Sequence, residues 1–320
     1  MSLTKEFNEI ISEWFDSIVY PSAPASLYLP IEYTLSAGGK RIRPTLLLAA
    51  TKAFGGDMAK VKNQCVGIEM FHNFTLLHDD VMDNSDMRRG IPTVHRKWDS
   101  NTAILSGDTM LTWATQLISD CDDRHLRTVL DTFNRTAIQI YEGQQYDMDF
   151  ENRNDVNVEE YLNMIKLKTS VLLGCALKIG AVLADAPAGA VEALYNYGIK
   201  LGMAFQLRDD YLDTFGNPIV FGKKIGNDIL NDKKSWLMIT ALAEDQSGTM
   251  QQALRGLYAD NEKINKVTAI YRELWLDKRI LSLIRDYTED AIEIVKSINM
   301  DNSLREYFIE LALSAVERMN

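Results

Sequence analysis

The chain has 320 residues, a net charge of −11, three cysteines and seven prolines. That acidic balance argues against a nucleic-acid binder, which carries a basic face. Cys65, Cys121 and Cys175 show no metal-ligand spacing and suit buried, reduced thiols in a cytoplasmic protein. No stretch is apolar for long enough to span a bilayer, and Met1-Ser2-Leu3-Thr4-Lys5-Glu6 has no secretory apolar core. The length would accommodate two domains, but no Pro/Gly/Ser-rich linker divides it, so a single domain over 1–320 is expected.

In chain order, residues 4–18 read as an amphipathic helix. Pro21, Pro24 and Pro30 punctuate the next segment, and a short helix is expected to end at Ala37-Gly38-Gly39. Pro44 suits the first turn of the helix that follows. Residues 60–83 read as a long helix that is apolar on several faces, through Val66, Ile68, Met70, Phe71, Phe74 and Leu77, as a central helix is. Two more helices are expected over 101–119 and 125–150. Asn157-Val158-Glu159-Glu160 resembles a capping box with Asn at the cap, opening a long run to about Ala184. Helices over 188–213, 228–243, 249–259, 263–297 and 303–319 complete the series, with Ser303 as the cap of the last. No hairpin signal or alternating β run is present, and no Pro follows Pro218. The expected class is all-α.

One acidic pattern occurs twice, as Asp79-Asp80-Val81-Met82-Asp83 and as Asp209-Asp210-Tyr211-Leu212-Asp213. Each copy closes an apolar helix. On a helix the first and fifth residues lie about 40° apart and the second about 100° from the first, so the three carboxylates are expected to share one patch. Carboxylates at the end of a buried helix are costly unless positive charge meets them. The expected counter-charge is a hard divalent cation, Mg²⁺, bridging to a substrate phosphate. A further acidic cluster, Asp120, Asp122 and Asp123, reads instead as a solvated turn and helix cap.

Basic residues come in clusters around these motifs. Gly38-Gly39-Lys40-Arg41-Ile42-Arg43-Pro44 puts Lys40 and Arg43 beside a helix start, where anions are favoured. Arg41 after Gly39-Lys40 excludes a nucleotide P-loop, which needs Ser or Thr there. Arg88 and Arg89 follow the first motif closely and could either bridge its aspartates or grip phosphate oxygens. Lys168 sits in an apolar helix and is expected to face a phosphate rather than stay unpaired. Lys223, Lys224, Lys233 and Lys234 follow the second motif and taken alone would form a solvated face. The inventory suits a substrate with a diphosphate head and a hydrocarbon tail. Such a site can release diphosphate and leave an allylic carbocation without a nucleophilic Ser or Cys.

With these residues in order, the sequence resembles the trans-type polyprenyl diphosphate synthases, the family of farnesyl and geranylgeranyl diphosphate synthases. The matching motifs are Gly38 to Pro44, His72 to Asp83, Arg88-Arg89-Gly90, Gly143-Gln144 with Asp147, Lys168-Thr169-Ser170, and Phe205 to Asp210. Gly222-Lys223 and Lys233 complete them. The resemblance implies an all-α bundle around a deep central cavity, and a homodimer. It implies that Asp79, Asp80 and Asp83 bind two Mg²⁺ ions, and that Asp209, with Asp210 and Asp213 near it, binds a third. Arg88, Lys168, Gln206, Lys223 and Lys233 would surround the allylic diphosphate, with Thr169 close to the reacting carbon. Lys40, Arg43, His72 and Arg89 would hold isopentenyl diphosphate. The implied reaction is ionisation, condensation and elimination, with the departing diphosphate as base. Many members have Gly where Asp232 stands, beside Lys233.

In this family the residues four and five places before the first motif help to set the cavity floor. Here they are Thr75 and Phe74. One helical turn rises about 5.4 Å, so both lie just below the acidic cluster. Phe74 is expected to obstruct a growing tail while Thr75 leaves space, which predicts a C15 or C20 product. Two rivals remain open on sequence. A class I terpene cyclase shares the first motif, but its second usually reads N-D-x-x-S/T-x-x-x-E, and Asn231 and Ser235 fill the key positions after Asn227-Asp228. A non-catalytic subunit would be expected to lose metal ligands, and both motifs are complete.

Overall fold

The structure is a computed structural model and describes residues 3–216 and 225–317. It is all-α among the described residues apart from one two-stranded ladder, and it gathers into two compact units.

The first unit takes the described residues up to Asn134 together with Ala176–Val191. α1 (Leu3–Asp16) buries Phe7, Ile11 and Phe15, one turn apart, in the stripe that an amphipathic helix presents to a core. α2 (Ala25–Ser36) and α3 (Ile42–Ala53) follow. α4 (Lys62–Met82) is enclosed on most of its circumference, through Cys65, Ile68, Met70, Phe71, Phe74 and Leu77. Burying each such side chain stabilises the fold by about 1.5–3 kcal/mol. β1 (Met87–Arg88) and β2 (Ile91–Pro92) pair antiparallel, with Met87 opposite Pro92 and Arg88 opposite Ile91. This hairpin escapes sequence reading because its ladder has two residues a side. Its turn takes positive φ at Arg89 and Gly90, the backbone of a two-residue hairpin loop. α5 (Val94–Lys97) leads to α6 (Ser100–Ser119), which is capped by Asp99 and packs along α4. Gly107 of α6 faces the His78 ring, whose Nε2 lies 3.1 Å from the Ile104 carbonyl oxygen.

The second unit takes residues 135–175 and the described residues from 192 onward. α7 (Asp123–Glu151), α9 (Val171–Leu183) and α10 (Ala188–Phe215) each contribute to both units. α8 (Val158–Ile165) opens on the expected capping box: Asn157 accepts from the Glu160 amide and Glu160 from the Asn157 amide. The long helix expected to run on to Ala184 is interrupted by one π-helical turn, Lys166–Ser170. α11 (Asn227–Leu230) and α12 (Trp236–Glu244) replace the single helix expected over 228–243. α13 (Thr249–Arg255) ends sooner than expected. The helix expected over 263–297 breaks into α14 (Asp260–Glu273) and α15 (Leu276–Ser297), because Trp275 takes φ 58° between them. In α15, Leu276, Ile280, Ile284, Ala291 and Val295 form the buried stripe. α16 (Asn302–Glu317) is capped by Asp301, which accepts from the Ser303 and Leu304 amides, rather than by Ser303 itself.

Cys65 and Cys175 are buried free thiols as expected, whereas Cys121 is only half-buried. Among the described residues no helix is long and apolar enough to cross a membrane.

Candidate active site

The first acidic motif closes α4 in the first unit, and its three carboxylates meet different surroundings. Asp80 is buried, Asp79 half-buried and Asp83 exposed. Asp80 accepts two hydrogen bonds from Arg88 Nε at 2.8 Å each, and Arg88 Nη2 approaches Oδ1 to 2.7 Å. Of the two roles open to Arg88 on sequence, the structure therefore displays the salt bridge. The hairpin makes this possible by folding residue 88 back along the end of α4.

Arg89 turns the other way. It donates to the Gly38 carbonyl and, at 3.3 Å, to Asn73 Oδ1. Asn73 in turn donates to the Glu69 carbonyl at 2.8 Å, and its Nδ2 lies 3.4 Å from Glu69 Oε1. Glu69 is a carboxylate buried inside α4, and its Oε2 has no partner among the described residues. Burial pushes its carboxyl above the usual range, against the pull of Arg43, Arg89 and Arg41. Arg43 lies in the first turn of α3 with its Nε buried and without an acceptor. Burial, then Arg43, Arg89 and Arg88, hold the His72 imidazole well below its ordinary value, so the ring is neutral at pH 7. Lys40 is exposed just before this turn. A neutral hydrogen-bonding ring among guanidinium groups, beside a helix start, is an environment for a multiply charged anion.

Phe74 is buried, with its ring 5.6 Å from Phe71 and 4.8 Å from His78. Thr75 is half-buried, and its hydroxyl donates to the His72 carbonyl at 2.8 Å.

The second motif lies at the end of α10 in the second unit; its second aspartate is again the buried one, but the flanking exposures are reversed, with Asp209 exposed, Asp210 buried and Asp213 half-buried. Here the buried carboxylate meets neutral donors. Tyr161 donates a short hydrogen bond to Asp210 Oδ2, and Gln206 Nε2 lies 3.4 Å from Oδ1. Thr169 donates to Gln206 Oε1 at 3.1 Å, which completes a line of polar side chains from the π-turn to the motif. Burial lifts the Asp210 carboxyl to about 7; Lys233 lowers it, Asp228 raises it further, and the Tyr161 and Gln206 hydrogen bonds lower it. Burial and Asp228 also raise Asp213, whose Oδ2 accepts from the Asp228 amide at 3.0 Å.

Lys168, expected to face a phosphate rather than stay unpaired, has its ammonium in a bridge to Asp147 at 2.5 Å. Lys233 lies 3.5 Å from Asp228. Desolvation pulls the Lys233 ammonium down, but Asp228, Asp210 and Asp147 outweigh it and hold it up. Asp232 adopts φ 50°, the left-handed backbone that glycine favours, and its carboxylate receives Lys263 at 2.8 Å. Lys223 falls outside the described residues.

The fold thus brings Arg43, His72, Asp80, Arg88 and Arg89 into one unit's polar cluster, and Lys168, Thr169, Gln206, Asp210 and Lys233 into the other's. Sequence reasoning passed over Glu69, Asn73 and Tyr161, and weighed Asp228 only as the start of a cyclase motif. Glu69 had a signal, a lone acid in the apolar run Val66-Gly67-Ile68-Glu69-Met70-Phe71. Tyr161 had none, since its partner stands 49 positions away. The candidate ion donors are all hard carboxylate oxygens, the class that suits Mg²⁺. Among the described residues no three carboxylate, imidazole or thiol groups cage an ion by themselves. Mg²⁺ held by one or two carboxylates and substrate phosphates needs no such cage.

Comparison with known proteins gives the family. Residues 24–274 match the polyprenyl synthetase family model. A geranylfarnesyl diphosphate synthase from Natronomonas pharaonis is 36% identical over 99% of this chain and 97% of its own length. A crystal structure of geranylgeranyl pyrophosphate synthase superimposes with a TM-score of 0.95, at 41% identity and with all of both chains covered. A geranylgeranyl pyrophosphate synthase from Corynebacterium glutamicum, complexed with isoprenyl diphosphate and magnesium, has a TM-score of 0.86 at 27% identity, covering 99% of this chain and 98% of that one. The chain belongs to the polyprenyl synthetase family and is a prenyltransferase of isoprenoid biosynthesis that makes short-chain prenyl diphosphates.

Proposed function

We propose that this enzyme joins isopentenyl diphosphate head-to-tail to an allylic diphosphate in an Mg²⁺-dependent reaction. The observation that carries the reading is the guanidinium cluster around neutral His72, with Arg43 Nε buried and lacking an acceptor. Lys40, Arg43, His72 and Arg89 hold isopentenyl diphosphate. Arg88, Lys168, Gln206, Lys233 and Lys223 surround the allylic diphosphate, with Thr169 beside the reacting carbon. Asp79, Asp80 and Asp83 hold two Mg²⁺ ions; Asp209, with Asp210 and Asp213 near it, holds a third. The chemistry supplied by bound Mg²⁺ is charge neutralisation at the leaving diphosphate.

The allylic C–O bond breaks and diphosphate leaves with the electron pair. The double bond of isopentenyl diphosphate attacks the resulting carbocation. A proton is then lost from the adjacent carbon to the departed diphosphate, which forms the new trans double bond. The chain's own residues contribute position and charge, and His72 contributes a hydrogen bond without adding a positive charge. We further propose that Phe74 limits the tail to C15 or C20; its buried ring, lodged against Phe71 and His78, is consistent with a fixed wall. A cytoplasmic homodimer completes the proposal, since Ile104 and Leu105 on α6 are exposed apolar side chains that a second copy would cover.

The test is incubation of the purified chain with Mg²⁺, labelled isopentenyl diphosphate and a C5, C10 or C15 allylic diphosphate, followed by mass spectrometry. A prenyl diphosphate that requires both substrates supports the reading. A hydrocarbon formed without isopentenyl diphosphate would indicate a cyclase, and activity only with an added partner would indicate a subunit. Phe74→Ala is expected to lengthen the product; an unchanged product removes Phe74 from that role.

A further inference from the structure

The π-turn Lys166–Ser170 carries Lys168 and Thr169, and it is held between two glycines from other helices. Gly143 of α7 lies against its backbone: a Cβ there would fall on the Lys168 amide nitrogen, with the Leu167 carbonyl carbon and Lys168 Cα 2.8 Å away. Gly202 of α10 meets it from elsewhere: a Cβ there would stand 2.6 Å from Ser170 Cα and 2.7 Å from its Cβ and Oγ. Real Cβ atoms essentially never come so close, so either substitution forces backbone to move. Ser170 itself is fully buried, and its hydroxyl has no partner among the described residues. The Val171 amide bonds the Lys166 carbonyl, the one-residue-longer hydrogen bond of a π-turn. Single π-turns inside α-helices cost helical regularity and occur frequently at functional sites.

The register of this contact fixes the chemistry one turn further on. Gly202, Gln206 and Asp210 are spaced four apart along one face of α10. Close approach at Gly202 brings Thr169 within 3.1 Å of Gln206, while the contact at Gly143 brings Lys168 within 2.5 Å of Asp147 on the next turn of α7. We infer that Gly143 and Gly202 are positioning residues, whose missing side chains let three backbones converge so that the π-turn presents Lys168 and Thr169 at a fixed angle to the allylic diphosphate. Neither glycine has a side chain to offer a substrate, and each lies against the backbone of the π-turn or of Ser170. Displacing a reacting group by about 1 Å can cost on the order of 10²-fold in rate, so a forced backbone shift here is costly beyond any loss of stability.

This inference rests on the assignment of Lys168 and Thr169 to the allylic diphosphate proposed above, and the experiment separates the two. Steady-state kinetics and thermal unfolding are measured for Gly143→Ala, Gly202→Ala, Lys168→Ala and Gly198→Ala. Gly198 is the packing control: its Cβ would stand 2.6 Å from Gly174 Cα, equally tight but one turn away from the π-turn. The expected result is that Gly143→Ala and Gly202→Ala lower kcat by about tenfold or more and raise KM for the allylic substrate, with KM for isopentenyl diphosphate within about twofold. Gly198→Ala loses stability while its turnover per folded molecule is retained. Ser170→Gly in the Gly202→Ala background removes two of the three crowding atoms and restores part of kcat. Full activity in both glycine variants, or losses matched by Gly198→Ala and proportional to unfolded protein, overturns the inference. If Lys168→Ala leaves the allylic KM and kcat untouched, the underlying assignment fails and the inference with it.

Discussion

The two acidic motifs share a sequence pattern and a buried second aspartate but not an electrostatic environment. In both, the second aspartate is buried, Asp80 at 4% exposure and Asp210 at 2%, so the pattern alone would assign them one role. Asp80 receives a guanidinium through three short contacts. Asp210 receives a hydroxyl and an amide, with the Lys233 charge further off, and its carboxyl rises to about 7. Asp80 thus meets a guanidinium directly, whereas Asp210 meets neutral donors with an ammonium charge further off. The motif specifies where the carboxylates stand, and distant neighbours specify their charge.

The sharpest way to break this comparison is the same substitution at both sites. Asp80→Asn strips the charge from the Arg88 pair and is expected to lower stability by about 2–3 kcal/mol, less than for a fully buried pair because Arg88 is partly exposed. Asp210→Asn in metal-free buffer at pH 8 is expected to cost nothing or to stabilise. Urea unfolding of both variants decides, and equal losses would end the distinction.

The pH dependence follows with its sign. The folded value near 7 lies above the ordinary carboxylate value of about 4, so the protonated form is favoured by folding. Its stabilisation is complete below about pH 4 and is lost as pH rises through about 7. Metal-free wild type should therefore lose about 2–3 kcal/mol between pH 5 and pH 8 from this group, and Asp210→Asn should flatten that slope. A slope that the variant leaves unchanged would assign the titration elsewhere.

Tyr161→Phe removes the hydroxyl donor and should cost about 1 kcal/mol while weakening Mg²⁺-dependent turnover, as measured by unfolding and initial rates. The smallest effect is expected at Asp232. Asp232→Gly relieves the left-handed backbone but gives up the Lys263 bridge, and these nearly cancel to within about 0.5 kcal/mol. A loss well beyond that would mean that the bridge dominates the loop.

Much of the scaffold was legible in the sequence because it is local. The enclosed α4, the helix that ends in the second motif and the Asn157 capping box follow from periodicity and nearest neighbours. What escaped had no local mark. The run into α9 stays apolar through the π-turn, and nothing in Lys166–Ser170 announces the extra residue in the turn. The helix break at Trp275 sits on a residue that rarely takes positive φ. The partners of Lys168 and Asp210 lie 21 and 49 positions away, beyond anything that spacing along a helix reports. The sequence therefore located the charged groups well and their pairings poorly.

In the proposed reaction both motifs serve one allylic diphosphate through Mg²⁺. This is tested most directly by calorimetric titration of an unreactive allylic thiolodiphosphate into wild type, Asp79→Ala and Asp209→Ala, each with and without Mg²⁺. Wild type is expected to bind in a Mg²⁺-dependent manner, with Kd weakened by about tenfold or more in each variant, although the two substitutions are 130 positions apart. Binding that ignores Mg²⁺, or an Asp209→Ala chain that binds as tightly as wild type, would contradict it.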